Sequence, residues 1–180
     1  GFQIARARVV ANGTTFDKKF SYYLSAELSS GNSAVLNDAE IRYTFDSKFY
    51  IRAGQYKLLF LREELVSDNR QLVIERSITN SVYSLTRSQG IGAGWTDGQW
   101  RIGGDISDGG KNLNTAFDSP KEADFSITAR AENMVFGDDL KRFDDFTSWK
   151  GASNALLLGA AFNYETYGET GPGTEGGVVE

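Results

Sequence analysis

The alternation of apolar and polar residues is the sequence feature that most limits what this chain can fold into. In Phe20–Ser29, the residues Phe, Tyr, Leu, Ala and Leu alternate with Ser, Tyr, Ser, Glu and Ser. The same period of two runs through Asp38–Phe45 and Asp124–Glu132. Side chains along a strand point alternately to its two sides, so this pattern predicts strands with one apolar and one polar face.

The same rule, applied to the whole chain, predicts an all-β antiparallel protein of about eight strands. The strands are predicted near Phe2–Asn12, Phe20–Ser29, Leu36–Phe45, Phe49–Phe60, Gln89–Trp95, Trp100–Ser107, Asp124–Val135 and Ala155–Thr166. A helical period is weak and confined to Leu61–Ser67. Strands and loops are expected to occupy residues 1–167, and residues 168–180 read as a loop or disordered tail.

The connections between these strands alternate in length. Phe45–Lys48 and Thr96–Gln99 are tight turns, whereas a long charged excursion runs from Lys57 to Ser88 and a long polar segment follows Ser107. Short turns at one end and long loops at the other are typical of an outer-membrane barrel. The segment Phe136–Asn154 breaks this pattern because a short turn is expected there. Its acidic stretch Gly137–Asp145 predicts a solvated loop.

Composition excludes several classes of function. The chain has no Cys and no His, which excludes disulfides and removes the commonest general base and metal ligand. The net charge of -5 gives no support for nucleic-acid binding. We therefore predict that the protein is not an enzyme and has no catalytic residue, metal, other cofactor or nucleic-acid partner. A small outer-membrane enzyme is disfavoured by the missing His.

Two kinds of protein fit the alternation: a transmembrane β-barrel and a soluble antiparallel β-sandwich whose long loops bind a partner. The predicted strands are about as long as the 9–11 residues that a tilted spanning strand needs. Aromatic residues also lie toward the strand ends, as in the girdles of membrane barrels. They are Phe20, Tyr22, Tyr43, Phe45, Phe49, Trp95, Trp100 and Tyr164. Both observations favour the barrel, and the sandwich stays open as the alternative.

A series of short motifs in a fixed order resembles the phosphate-selective porin O and P family of Gram-negative outer membranes. The motifs are Gly54-Gln55-Tyr56-Lys57, Glu63-Glu64-Leu65, Glu75-Arg76-Ser77, and Arg87 followed by Gly90, Gly92 and Gly94. Arg6 and Arg8 resemble the arginine-rich early strand of that family. The resemblance covers most of residues 1–135 and thins after that.

The resemblance implies a barrel of about sixteen strands, usually a homotrimer, that lets small hydrophilic solutes diffuse passively across the outer membrane. Its partners would be outer-membrane lipid, lipopolysaccharide and small anions such as phosphate. The excursion (57–88) would be the constriction loop, and Gly90, Gly92 and Gly94 would let it pack close to the wall. The eight predicted strands and the final Glu180 lead us to expect a segment of such a barrel, although a complete eight-stranded barrel stays open.

Arginine and lysine are the residues expected to select anions in such a pore, because a planar guanidinium donates paired hydrogen bonds to phosphate. The candidates are Lys57, Arg62, Arg70, Arg76, Arg87, Arg6, Arg8, Arg42, Arg52 and Arg130. Lys57 has the lipid-side parity of its strand and needs a bulge or a rim position to reach the pore. A structural lattice of ion pairs is the alternative, because Glu27, Asp38, Glu40, Asp105 and Glu132 share the polar faces.

Overall fold

The computed structural model of the protein describes residues 7–15, 18–28, 34–116, 119, 123–147 and 153–167. Its strands are β1 Ala7–Thr15, β2 Phe20–Leu28, β3 Ala34–Thr44, β4 Phe49–Lys57, β5 Arg87–Thr96, β6 Trp100–Ser107, β7 Ala123–Phe136 and β8 Leu156–Tyr167. Two short helices, α1 (Arg62–Leu65) and α2 (Ile78–Tyr83), and a 3-10 turn at Asp68–Arg70 lie between β4 and β5. A second 3-10 segment, Leu140–Asp144, lies between β7 and β8.

Each predicted strand overlaps an observed strand, so the all-β prediction is confirmed. The strand ends differ in places, because β1 continues to Thr15 and β5 begins at Arg87. The prediction that the fourth strand reaches Phe60 is wrong. The amide of Phe60 donates to the carbonyl of Leu58 at 2.8 Å, and this tight turn directs the chain away from the strand after Lys57.

The eight strands form one antiparallel sheet in the order β1 to β8, and each strand pairs with its neighbour in sequence. The alternative of a β-sandwich is therefore wrong for the described residues, because a sandwich needs two packed sheets. The tight turns at 45–48 and 97–99 lie at one end of the sheet, and the excursion leaves from the other. We call these ends the turn end and the loop end.

The pairing of β3 with β4 stops early, at Ala39 opposite Gln55. Gly54 has a φ of 122°, which only glycine adopts without strain, and the carbonyl of Ala39 lies where a Cβ would be. Beyond this point the side-chain amide of Gln55 donates to the carbonyls of Leu36 (3.0 Å) and Asn37 (3.1 Å). A side chain thus replaces the missing backbone ladder at the loop end of β4.

Burial in this sheet is the reverse of that in a soluble protein. The side chains that face inward are polar, and Arg52, Thr128 and Glu132 are 6%, 0% and 1% exposed. Large apolar residues face outward, and Ile41 and Ile91 are 57% and 67% exposed. Soluble proteins rarely bury Arg and Glu while leaving Ile on a contiguous open face. The apolar face therefore requires an apolar surrounding.

Apart from Tyr164, which lies toward the loop end opposite Ile127, the aromatic residues predicted at strand ends lie toward the turn end of the apolar face. Ring centroids lie 4.9 Å apart for Phe20 and Tyr43, 4.8 Å for Tyr43 and Phe45, and 5.3 Å for Phe45 and Phe49. Phe49 lies opposite Trp95 in the register of β4 and β5. Such a band is what a strand protein places at the level of lipid headgroups. None of the described helices is long and apolar enough to cross a membrane.

The excursion folds onto the polar face of the sheet. Its residues Leu58, Phe60 and Val66 are buried, and with Tyr56, Met134 and Leu140 they make up the buried apolar side chains of the described residues. The excursion thus buries apolar side chains against a wall that is otherwise polar. The prediction of a solvated loop at Gly137–Asp145 is partly wrong, because Leu140 is 3% exposed and its 3-10 segment contacts the excursion. The predicted tail at 168–180 lies outside the described residues.

Candidate functional site on the polar face of the sheet

Arg52 and Asp105 form the most buried ion pair of the polar face. Arg52 Nη2 and Nε lie 2.8 and 3.2 Å from Asp105 Oδ1, and the guanidinium stacks 3.8 Å above the centre of the Tyr56 ring. Asp105 Oδ2 accepts from the amide of Leu59 at 3.1 Å. One carboxylate therefore both neutralises the strand arginine and fixes the first residues of the excursion.

Arg42 is the most open of the strand arginines predicted to line the pore. Its Nη2 lies 2.7 Å from Glu40 Oε1, and its guanidinium lies 4.3 Å from the centre of the Tyr50 ring. The side chain of Arg42 is 37% exposed, compared with 6% for Arg52. Because Glu40 also faces Arg52 at 3.5 Å, Arg42 shares its carboxylate with a second cation. Arg42 can therefore present its guanidinium to a solute.

A second network lies at the turn end, where α1 meets β6, β7 and the 3-10 segment Leu140–Asp144. Arg62 Nη1 lies 3.1 Å from Glu132 Oε2, and Arg62 Nη2 lies 3.1 Å from Asp144 Oδ1. Arg130 Nη2 contacts Glu132 at 2.7 Å and Arg101 Nη1 contacts Asp144 at 2.8 Å. Burial lowers the pKa of the Arg62 guanidinium from its ordinary value. Three arginines thus share two carboxylates.

Two of the sequence motifs meet inside the excursion. Arg76 Nε and Nη2 donate to the carbonyls of Glu63 and Val66, each at 3.2 Å. The amide of Ser77 donates to Glu63 Oε1 at 2.6 Å, and Ser77 in turn caps α2 by accepting from Asn80 N at 3.1 Å. The glutamate and Glu-Arg-Ser motifs therefore hold the excursion in its own fold.

Asp68 connects the excursion to the first strand. Its Oδ2 lies 2.9 Å from Arg8 Nη2, its Oδ1 pairs with Arg76, and Arg8 also contacts Glu27 at 3.2 Å. Partial burial acts to raise the pKa of Asp68, but the charges of Arg76, Lys57 and Arg8 outweigh it and hold the pKa below its usual value. The ionised carboxylate is thus the form that ties the excursion to β1.

Lys57 and Arg87 lie side by side at the loop end of β4 and β5. Lys57 Nζ donates to the carbonyl of Glu64 at 2.6 Å, and Arg87 Nε lies 2.8 Å from Asp38 Oδ1. Lys57 has the lipid-side parity of β4, so it is expected to reach the pore only from a bulge or from the rim. It is the last residue of β4 and therefore lies at the rim. Both cations line the cavity on the polar face.

Arg70 and Arg6 do not join these networks in the described part of the chain. Arg70 lies exposed in the 3-10 turn of the excursion, where its carbonyl accepts from the amide of Phe146 at 2.9 Å. Arg6 lies outside the described residues. The candidates therefore divide into those on the polar face and an exposed Arg70 that touches the β7–β8 connection.

The glycines of β5 do not contact the excursion directly, which corrects the expectation for them. A Cβ at Gly92 would overlap with Asp105 Oδ1, and one at Gly94 would lie 2.5 Å from the Tyr50 ring. They make room for side chains of the neighbouring strands instead. The glycine that faces the excursion is Gly103 of β6, where a Cβ would lie 2.6 Å from Leu59 Cδ1.

Arg101 and Asp144 are site residues that the sequence reasoning missed. Arg101 has the polar parity of its strand together with Asp105, so the alternation could have identified it. No local signal marks Asp144, because its partners Arg62 and Arg101 lie 82 and 43 residues away in sequence. Only the folding of the β7–β8 connection back over the sheet brings it to the site.

Two cavities separate the excursion from the strands. The larger, of about 690 Å³, is lined at the loop end by Arg8, Arg42, Arg52, Lys57 and Arg87 with hydroxyl and amide side chains between them. The smaller, of about 450 Å³, lies at the turn end and is lined by Arg42, Lys48, Arg62, Arg101 and Arg130. Arg42 lines both, so cationic side chains extend along the two cavities from one end of the sheet to the other, with Asp38, Glu40, Glu132 and Asp144 among them.

A sequence model of one protein family, phosphate-selective porin O and P, matches residues 1–178. The chain belongs to this family. The match extends well beyond the first 135 residues that carry the resemblance, and includes β7, β8 and the connection between them. Neither a comparison with curated proteins nor one with solved structures gave a match. Porins are channels rather than enzymes, and this family implies the outer membrane of a Gram-negative cell.

Proposed function

We propose that the polar face of the sheet lines a passive channel for small anions such as phosphate, and that the excursion narrows it. The observation that carries the proposal is the row of cationic side chains along the two cavities, with Arg42 shared between them. A guanidinium replaces the water around phosphate with fixed donors, and the carboxylates nearby keep binding weak enough for release. Most of these arginines also serve the lattice of ion pairs, so Arg42 is the one we expect to contact the permeant directly.

We further propose that the described sheet is part of a closed barrel of about sixteen strands. Among the described residues, β1 and β8 each pair on one side only. An open sheet edge is not tolerated within a bilayer, because its amide and carbonyl groups have no partners there. The apolar face would contact lipid and, near the surface, lipopolysaccharide. We propose a homotrimer as the assembly, and the mass of the detergent-solubilised protein tests it.

Anion preference is the first property to test, in planar bilayers containing the full-length protein under a chloride gradient. We expect an anion-selective reversal potential, and block of the chloride current by phosphate at concentrations on the order of 1 mM or lower. Arg42→Gln should lower the anion-to-cation permeability ratio roughly two- to threefold, because it removes one fixed positive charge from a narrow path.

Arg142→Gln is the matched control, because it removes the same charge from a side chain that hydrogen-bonds Ser153 and lines neither cavity. It should leave the reversal potential unchanged. An unchanged potential in Arg42→Gln would leave Arg42 a structural role only. Protein that stays soluble without detergent and forms no channels would refute the whole proposal.

A further inference from the structure

The two cavities of the polar face differ in the chemistry of their linings. Besides its cations, the larger cavity is lined by Asp38 and Glu40, by polar side chains such as Asn12 and Thr14, and by a few apolar or aromatic ones such as Tyr56. The smaller one combines its cations with a group of apolar and aromatic side chains. This group consists of Tyr50, Leu59, Leu65 and Val66. The smaller cavity therefore presents more apolar surface beside its cations than the larger one, and is the better fit for a solute with both an apolar body and an anionic group.

The size of the smaller cavity also points beyond inorganic phosphate. Its volume is about 450 Å³. Cavities of roughly 300–1,000 Å³ are of the size that encloses small organic molecules. A tetrahedral inorganic ion would leave most of this apolar lining in contact with water. An organic anion would cover it.

The cations of the smaller cavity are not all neutralised by its carboxylates. Its lining holds Glu132 and Asp144 as acids, against five basic side chains. Arg62 Nε is buried and has no hydrogen-bond partner. Arg62, Arg101 and Arg130 share these two carboxylates, so the network carries more positive than negative charge. Positive charge therefore remains for a ligand.

We propose that the smaller cavity is a binding site for organic anions that carry a single phosphate or carboxylate head on an apolar or aromatic body. The head would lie against Arg101 and the Arg62 end of the network, and the body against Leu59 and Val66. The site lies at the turn end, and short turns face the periplasm in outer-membrane barrels, so it would lie at the periplasmic mouth. This inference rests on the proposed channel and adds a second solute class to it.

The test compares phenyl phosphate with methyl phosphate, two monoesters with the same head group, as blockers of the chloride current through the full-length protein. Phenyl phosphate should block about tenfold more tightly, because only its ring covers the apolar lining. The difference should be larger when the esters are added from the turn side. Equal block by the two esters would overturn the site.

Two variants of the protein test separately the contacts to the apolar body and to the anionic head of the ligand. Leu59→Ala should reduce the advantage of phenyl over methyl phosphate about threefold, because it removes apolar contact and keeps the backbone amide that Asp105 holds. Arg101→Gln should weaken block by both esters about five- to tenfold and weaken block by inorganic phosphate less, because Arg42 is the arginine expected to contact the inorganic ion directly. An Arg101→Gln protein that loses inorganic phosphate block equally would contradict a separate organic site.

The same recordings distinguish this inference from the proposed function. Block by phenyl phosphate without any block by inorganic phosphate would remove phosphate selection and keep the organic site. Block by inorganic phosphate with no preference for the phenyl ester would keep the channel for small anions and remove the organic site. Arg142→Gln again serves as the charge control, and a change in its ester preference would overturn the assignment to the cavity.

Discussion

At the scale of single residues, the polar face is held together by buried ion pairs. The pair of Arg52 and Asp105 needs the space that the missing side chain of a glycine leaves. Arg52 and Asp105 face each other across β5, and Gly92 of that strand lies between them. A buried ion pair adds little net stability, but a buried charge that loses its partner is strongly destabilising. A change that moves Arg52 and Asp105 apart should therefore cost more stability than the pair itself contributes. The excursion depends on the same pair, since Asp105 also accepts from Leu59 N.

Gly92→Ala is expected to destabilise the protein by about 1–3 kcal/mol, the usual range for an overpacked site. The added Cβ would overlap with Asp105 Oδ1 and lie 3.1 Å from Arg52 Nε. The free energy of unfolding in detergent, from urea titration, measures the effect. Gly104→Ala is the control on the opposite face of the next strand, where the nearest atom lies 3.1 Å from the new Cβ and the next at 3.9 Å. Equal stability of the two variants would contradict this account of Gly92.

At the scale of elements, the two tight turns are built in the same way. Asp46 accepts from the amides of Lys48 and Phe49 at 2.7 and 2.8 Å, and Asp97 accepts from those of Gln99 and Trp100 at 3.0 and 2.7 Å. These backbone hydrogen bonds hold the pKa of both carboxyl groups below the usual value. The folded state therefore favours the ionised carboxylates of Asp46 and Asp97.

The sign of the shift gives a pH dependence of stability. A depressed folded-state pKa stabilises the fold at pH above the unfolded value of about 3.9, and this contribution is lost as the pH falls through the folded value. The double variant Asp46→Ala/Asp97→Ala should thus unfold more readily than wild type at pH 7, and the gap should narrow below about pH 4. Asp46→Asn/Asp97→Asn retains the acceptor oxygens without the charge, so its stability should vary less with pH than that of wild type. A gap that stays constant from neutral to acid pH would contradict the assignment.

The elements also show what can be predicted from the sequence and why. The strands were predictable because alternation is local, and a strand such as β6 was placed correctly at Trp100–Ser107. The course of the excursion was not, because its contacts join distant residues: Arg62 meets Asp144 across 82 positions, and Arg8 meets Asp68. Composition predicted a solvated loop for the acidic β7–β8 connection, yet the network at the turn end turns part of it inward. The excursion is therefore anchored both to β1 and to the β7–β8 connection, and the sequence around these residues gives no sign of either contact.

At the scale of the whole molecule, polarity is inverted. The described sheet keeps its ions between the strands and the excursion, and exposes its isoleucines, leucines and aromatic rings on the other face. Backbone amides within the sheet are paired between neighbouring strands, which is the arrangement a bilayer demands. Membership of the porin O and P family fits this inverted polarity. The central claim is that successive residues of a strand point in turn to the lipid on the apolar face and to the pore on the polar face.

That claim is tested most directly by single-cysteine labelling, because the chain has no Cys of its own. In β3, Ile41 is 57% exposed on the apolar face, and Thr44 lines the smaller cavity on the polar face. With the full-length protein in bilayers, a charged thiol reagent should react with Thr44→Cys and reduce the current. It should not react with Ile41→Cys, which a lipid-soluble reagent should label. Reaction of the charged reagent at Ile41→Cys, with Thr44→Cys protected, would contradict the account.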